Sequence, residues 1–195
     1  MNESVHQIIM RFTMKYLRMY IKYTLRYTLK PLSFVPALVM MYLIYSFSGQ
    51  SGTESSSLSY DVGFHFYDLI NNLFALDLSS RQIANYALNN QFYIRKAAHI
   101  TEYFLLAMSV SLPLYVYKIR GFKLSFLATL FCVLYAFLDE YHQSFSYGRS
   151  PQLRDVAIDS IGIVAGVIIV RIIGFIGRKT VFRSLSEEYE EQKAA

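Results

Sequence analysis

Apolar residues fall into four runs, over about residues 32–47, 97–117, 124–138 and 156–176. Runs approaching about 20 residues with few charges are the pattern of membrane-spanning helices. The first is short for that length, so the end of the segment preceding it is expected to contribute. Pro31 suits a first helical turn, and Pro36 sits early enough in the run to be tolerated with a kink. The polar stretches between runs differ in character. FSGQSGTESSSLS, residues 47–59, reads as a loop from its Gly and Ser content. Val62, Phe66, Leu69, Ile70 and Leu73 then recur at helical spacing, and Ser79 or Ser80 is placed to cap a second short helix through Leu88. Two amphipathic helices are therefore expected over 60–95, on the outer surface or covering the bundle. The expected fold is an all-α membrane protein: a four-helix transmembrane bundle with a basic amphipathic N-terminal helix and short extracytoplasmic amphipathic helices.

Charge divides the chain into three parts: a basic segment 1–30, a transmembrane domain 31–180 and a charged tail 181–195, whose acidic stretch from Glu187 to Glu191 is expected to be disordered. Arg11, Lys15, Arg18, Lys22, Arg26 and Lys30 follow one another at spacings of 4, 3, 4, 4 and 4 and so share one helical face. Such a stripe is either an interfacial helix on an anionic leaflet or a signal that holds the N-terminus inside. Lys118, Arg120 and Lys123 flank the second and third runs, and Arg178, Lys179 and Arg183 follow the fourth. These flanks alternate with segments 48–95 and 141–154, as four spans with both termini cytoplasmic require. Arg171, the one cation inside the fourth run, is expected to snorkel to the inner interface.

Composition supports the membrane reading. The chain of 195 residues is 54% hydrophobic and only 17% charged, against about 25% charged in soluble domains. The net charge of +5 comes from clusters beside apolar runs, which suits orientation in a membrane and not nucleic-acid binding. The single Cys132 lies inside an apolar run and excludes an intrachain disulfide.

Candidate chemistry concentrates where three runs meet polar sequence on the predicted outer side. The second run opens with RKAAHITEY, which puts Lys96, His99 and Tyr103 on one helical face and Glu102 three residues after His99. The third closes with Asp139, Glu140, His142 and Gln143; the fourth opens with Asp155, Asp159, Gly162 and Gly166 in one stripe. The glycine pair is a GxxxG spacing that lets a neighbouring helix approach closely. Intramembrane charge is expensive, and its default reading is functional. A polar clasp, with Lys96, Arg149 and Arg154 paired to Asp139, Glu140 and Asp155, explains the same residues structurally. Arg149 with Asp155 is one such pair. His99, Glu102, Asp139 and His142 are ligand types for zinc, but neither an HExxH pair nor a Cys pair accompanies them, and no metal or other cofactor is assigned. Phosphate loops and nucleophile elbows are absent from the sequence.

FSGQS, RKAAHITEY, LDEYHQSFSYGRSPQLRD and Asp159-x-x-Gly162 together resemble the VanZ-like family over about residues 43–170. The resemblance implies a small bacterial membrane protein, in a family of which some members are linked to resistance to teicoplanin-type glycopeptides. It implies that Lys96, His99, Tyr103, Asp139, Glu140, Gln143, Arg149, Asp155 and Asp159 occupy the family's polar positions, although many members have Asn at the position of Asp159. Three functions remain open at this point. One is binding of an anionic outer-leaflet lipid or cell-wall lipid precursor, with Lys96, Tyr103, Gln143, Arg149, Asp155 and Asp159 as binding residues. Another is an intramembrane enzyme acting on a lipid, with His99 as acid or base and Asp139 or Glu140 as partner or second acid/base. The third is a structural membrane partner.

Overall fold

The structure, a computed structural model, describes residues 27–180, with backbone alone from 177, and scattered positions between 13 and 24. Of the basic stripe only Lys30 falls within it; Arg11, Lys15, Arg18, Lys22, Arg26, the side chains of Arg178 and Lys179, and the tail from 181 lie outside the described residues. Five helices follow: α1 (Val35–Ser48), α2 (Gly52–Phe74), α3 (Ser80–Val116), α4 (Gly121–Gln143) and α5 (Leu153–Thr180). No strand occurs among the described residues. Tyr27–Ser48, α3, α4 and α5 are long and apolar enough to cross a membrane. The first of these is helical over 27–32, turns at Ser33 and Phe34, and resumes as α1 with Pro36 in its first turn.

Two expectations change. Residues 52–59 are helix, not loop, because Ser51 opens α2 with a reciprocal cap: its backbone N–H donates to Glu54 Oε2 at 2.8 Å, and its Oγ accepts from the Glu54 N–H. The serines that signalled a loop turn inward on the helix. Ser59 Oγ donates to the Ser55 carbonyl, and Ser55, Ser59 and Gly63 are buried. That small-residue stripe lets α3 pack close; a Cβ on Gly63 would meet the Ile94 side chain and lie 3.5 Å from Ala87 Cβ. The opposite side of α2 exposes Leu58, Val62, Phe66, Leu69 and Leu73.

The second short helix is not separate. Ser79 caps it through Gln82, as the sequence pattern implies, but the helix continues without a break for 37 residues. At about 1.5 Å per residue it is about 55 Å long, against a hydrocarbon core of about 30 Å. Its first half forms an antiparallel pair with α2 through a turn held by Asn71, whose side chain binds the Leu78 N–H at 2.9 Å. Its second half is the membrane span.

The core lies where α1, α3, α4 and α5 meet. Ile44, Tyr103, Leu106, Ala107, Cys132, Ala136 and Ile163 are all fully buried there. Large apolar side chains such as Leu134, Phe137, Leu138, Ile172 and Ile173 point outward, as they do where the surroundings are lipid. The closest helix approach is α3 on α5. A Cβ on Gly162 would overlap the Ile100 carbonyl oxygen, and one on Gly166 would lie 2.5 Å from the Phe104 carbonyl oxygen. The obstacle in both cases is backbone, which has little room to move.

A single methyl group is therefore expected to separate these helices. Gly162→Ala should destabilise the folded protein by about 1–3 kcal/mol, the usual cost of overpacking. Ala165→Leu, on the exposed side of the same helix, should leave the melting temperature in detergent unchanged. Equal melting temperatures for wild type and Gly162→Ala would refute the close contact.

Candidate functional site

Polar residues gather at one end of the bundle, where the end of α1, the middle of α3, the end of α4 and the start of α5 converge. The deeper layer consists of buried carboxyl groups. Asp139, Glu140 and Asp159 are only 4%, 6% and 3% exposed, so each needs a partner. Gln143, one turn beyond Asp139, donates its Nε2–H to Asp139 Oδ2 at 3.1 Å and to Ser48 Oγ at 3.3 Å. This links the ends of α4 and α1. Glu140 Oε2 accepts from the Gln152 backbone N–H at 2.9 Å, fixing the connection into α5. The Tyr103 hydroxyl is buried in the same layer, beside the Asp139 carboxyl.

The upper layer holds the cations. Lys96 Nζ lies 2.6 Å from Asp155 Oδ2, joining α3 to α5 across the glycine contact. Arg149 donates to the Ser48 carbonyl at 3.4 Å, and Ser146 Oγ donates to the same oxygen at 3.2 Å. Neither Arg149 nor Arg95 has a carboxylate within ion-pair distance among the described residues. Burial lowers the pKa of the Arg149 guanidinium from its ordinary value and Arg95 nearby lowers it further, while the Asp139, Glu140 and Glu102 carboxyl groups raise it. A bound anion offsets the repulsion between the two guanidinium groups. Arg154, by contrast, lies over the Phe92 ring, 5.9 Å from its centroid.

Two cavities open on this layer. One of about 190 Å³ lies between α3 and the α4–α5 connection and is lined by Arg95, Lys96, His99, Gln143, Arg149, Gln152 and Asp155, with backbone at Gly52 and Gly148. The other, of about 130 Å³, lies between α2 and α3 and includes Glu102 in its wall. Arg95, His99 and Arg149 line both. His99 Nδ1 is 3.7 Å from Glu102 Oε2, too long for a hydrogen bond, and it is buried without a partner.

Of the residues singled out in the sequence, Lys96, His99, Gln143, Arg149 and Asp155 reach a cavity wall. Tyr103, Asp139, Glu140 and Asp159 form the layer beneath and line neither cavity. The expected clasp is mostly not ionic: Arg149 binds a carbonyl and not Asp155, whose partner is Lys96. No three His, Cys, Asp or Glu side chains gather around a point that would hold a metal ion among the described residues. His142 instead stacks on Tyr45 with ring centroids 4.2 Å apart. Sequence reasoning missed Arg95 and Ser48. Arg95, His99 and Glu102 stand at i, i+4 and i+7, which puts them on one helical face, so the signal for Arg95 was present. Ser48 carried none beyond its place in FSGQS.

The Lys96–Asp155 pair yields a direct test of how much of the site is clasp. Lys96→Met should lower stability by about 1.5–3 kcal/mol, the value of a charge-assisted hydrogen bond. The exchange Lys96→Asp with Asp155→Lys should recover most of the loss in a thermal melt. No loss in the single variant would show that the pair does not tie α3 to α5.

The VanZ/LLP1 family model matches residues 33–174, from the turn before α1 into the last part of α5. The match takes in every residue lining the two cavities. No curated protein and no solved structure matches the chain. With nearly three quarters of its length matched, the chain is a multi-pass membrane protein that belongs to the VanZ/LLP1 family.

Proposed function

We propose that the protein binds the anionic headgroup of a lipid, a phospholipid or a cell-wall lipid precursor, at the outer face of a bacterial cell membrane. One observation carries this reading: Arg95 and Arg149 line both cavities with no carboxylate in ion-pair range. Half-buried guanidinium groups with no carboxylate in contact favour an anion, and their planar forks suit phosphate oxygens. Lys96 adds a third donor at the wall while Asp155 orients it. Gln143 lines the same cavity, and Tyr103, Asp139, Glu140 and Asp159 support it from below. A protein that engages outer-leaflet lipid in this way acts where the acyl chain of a teicoplanin-type glycopeptide inserts, which accounts for an effect on susceptibility to such drugs.

A second reading, hydrolysis or group transfer on the lipid, is favoured by His99. Its Nδ1 is unpartnered at the boundary of both cavities and close to Glu102, an arrangement open to acid–base work. Glu102 is the nearer carboxyl for that role, because Asp139 and Glu140 are engaged by Gln143 and by the Gln152 amide.

Orientation follows from the other end of the bundle. Lys30 lies over the Tyr117 ring, and Arg171 Nη1 reaches Ser125 Oγ. These cations gather with Lys118, Arg120 and Lys123 at the end opposite the cavities, and the positive-inside rule favours the cytoplasmic side for that end.

Lipids co-purifying with wild type and with Arg149→Gln and Arg95→Gln, identified by mass spectrometry, test the binding reading. Wild type should retain an anionic lipid that both variants lose while they remain folded and inserted. Equal lipid content in all three would end it. Turnover separates the second reading: an enzyme converts added lipid and His99→Ala stops the conversion, whereas a binder returns the lipid chemically unchanged in both proteins. In a Cys132→Ser background, Ser57→Cys should react with an impermeant maleimide on intact cells and Phe122→Cys only after permeabilisation. The opposite pattern would invert the orientation.

A further inference from the structure

The two cavities share Arg95, His99 and Arg149 but differ in what lies beyond those residues. On the α4–α5 side the wall is mostly polar: Lys96, Gln143, Ser150, Gln152 and Asp155, with Gly52, Gly148 and a single aromatic ring, Phe92. On the α2 side Phe47, Leu58, Val62, Ile94 and Ala98 make most of the wall, and Gln50, Ser55 and Glu102 are its polar members. Ser59 lines this side too, but its hydroxyl already donates to the Ser55 carbonyl at 2.8 Å. A phosphate at the two arginines therefore meets hydrocarbon on one side and polar groups on the other.

Resting on the headgroup reading above, we infer that the ligand is an alkyl or prenyl phosphate ester, with hydrocarbon attached directly to a phosphate oxygen and a polar substituent on the opposite side. The chain begins in the α2–α3 cavity; the polar substituent occupies the cavity bounded by Lys96 and Gln152. A glycerophospholipid fits this arrangement poorly. Its glycerol and ester carbonyls follow the phosphate immediately and would be desolvated where they meet Phe47, Ile94 and Ala98.

Packing also sets the path of the chain. Farther along α2, Gly63 seals the gap against Ala87 and Ile94, where an added Cβ would already overlap the Ile94 side chain. The chain cannot continue along the helix pair, and it turns out between Leu58 and Val62. These side chains are 44% and 52% exposed and stand one turn apart on the outer side of α2. A slender chain follows that route, whereas two chains joined at a glycerol do not.

Competition binding to the full-length protein in zwitterionic nanodiscs tests the inference, with displacement of labelled farnesyl phosphate as the readout. Unlabelled farnesyl phosphate should compete at least about tenfold more strongly than lysophosphatidic acid of similar carbon count, a difference equal to burying about two methylene groups. Ala98→Phe, which fills the α2–α3 cavity, should reduce farnesyl phosphate to the level of lysophosphatidic acid. Val62→Phe, at the exit, serves the same purpose if Ala98→Phe does not fold. Equal competition by the two lipids in wild type, or an undiminished preference in a folded cavity-filling variant, would overturn the ester class and the chain path while leaving the headgroup reading intact. If farnesyl phosphate binds equally to wild type, Arg95→Gln and Arg149→Gln, the headgroup reading fails, and this inference fails with it.

Discussion

The backbone contact between α3 and α5 is the constraint on which the rest of the structure depends. Helices in lipid gain little from burying apolar side chains against one another, since the surrounding tails are equally apolar. Close approach must supply the attraction through dispersion, and Gly162 and Gly166 permit it by leaving nothing between their backbone and the carbonyls of Ile100 and Phe104. The position of the contact matters as much as its strength. One turn toward the polar end it puts Asp159 inside the bundle, and a further turn on it brings Asp155 to Lys96. A shift of α5 by one residue would rotate the glycines away and turn both carboxylates toward lipid.

How much of this was legible in the sequence depends on which forces fix each element. The four spans follow from apolar runs alone, because lipid requires every backbone group to be bonded within its own helix. The glycine pair was equally readable. Residues 52–59 were not, because Ser and Gly favour loops until a partner helix needs small residues facing it. Ser55, Ser59 and Gly63 answer that need, and only tertiary packing reveals it. The unbroken length of α3 was hidden for a related reason. Its first half is polar enough to read as a surface helix, and nothing in local pattern says whether two helical segments join.

The site shows the same division. That charges cluster at one end of the bundle was clear from where carboxylates, His99 and cations fall relative to the apolar runs. Which cation meets which acceptor was not. Arg149 comes from a connection whose path is set by two contacts with distant sequence, the Gly52 N–H on the Tyr147 carbonyl at 3.0 Å and the Gln152 N–H on Glu140. Both depend on α1 and α4 ending side by side. Its partner is therefore the Ser48 carbonyl, a backbone atom that no charge pattern would nominate.

Depth explains why such a cluster is tolerable. If the last 20 or so residues of α3 occupy the hydrocarbon core of about 30 Å, Arg95, Lys96 and His99 lie at its boundary, where headgroups and water replace lipid tails. The layering then follows from solvation. Of the carboxyl groups that point inward, Asp139 is bonded by Gln143 and Glu140 by the Gln152 amide, which pins helix ends and leaves both out of the cavity walls. The guanidinium groups of Arg95 and Arg149 line the cavities above them. The α2–α3 pair rises beside this layer and gives it an apolar wall that the span helices alone would not supply. A bundle ending at the membrane surface would present a flat polar rim, whereas the extended α3 with α2 folded against it turns that rim into a cleft.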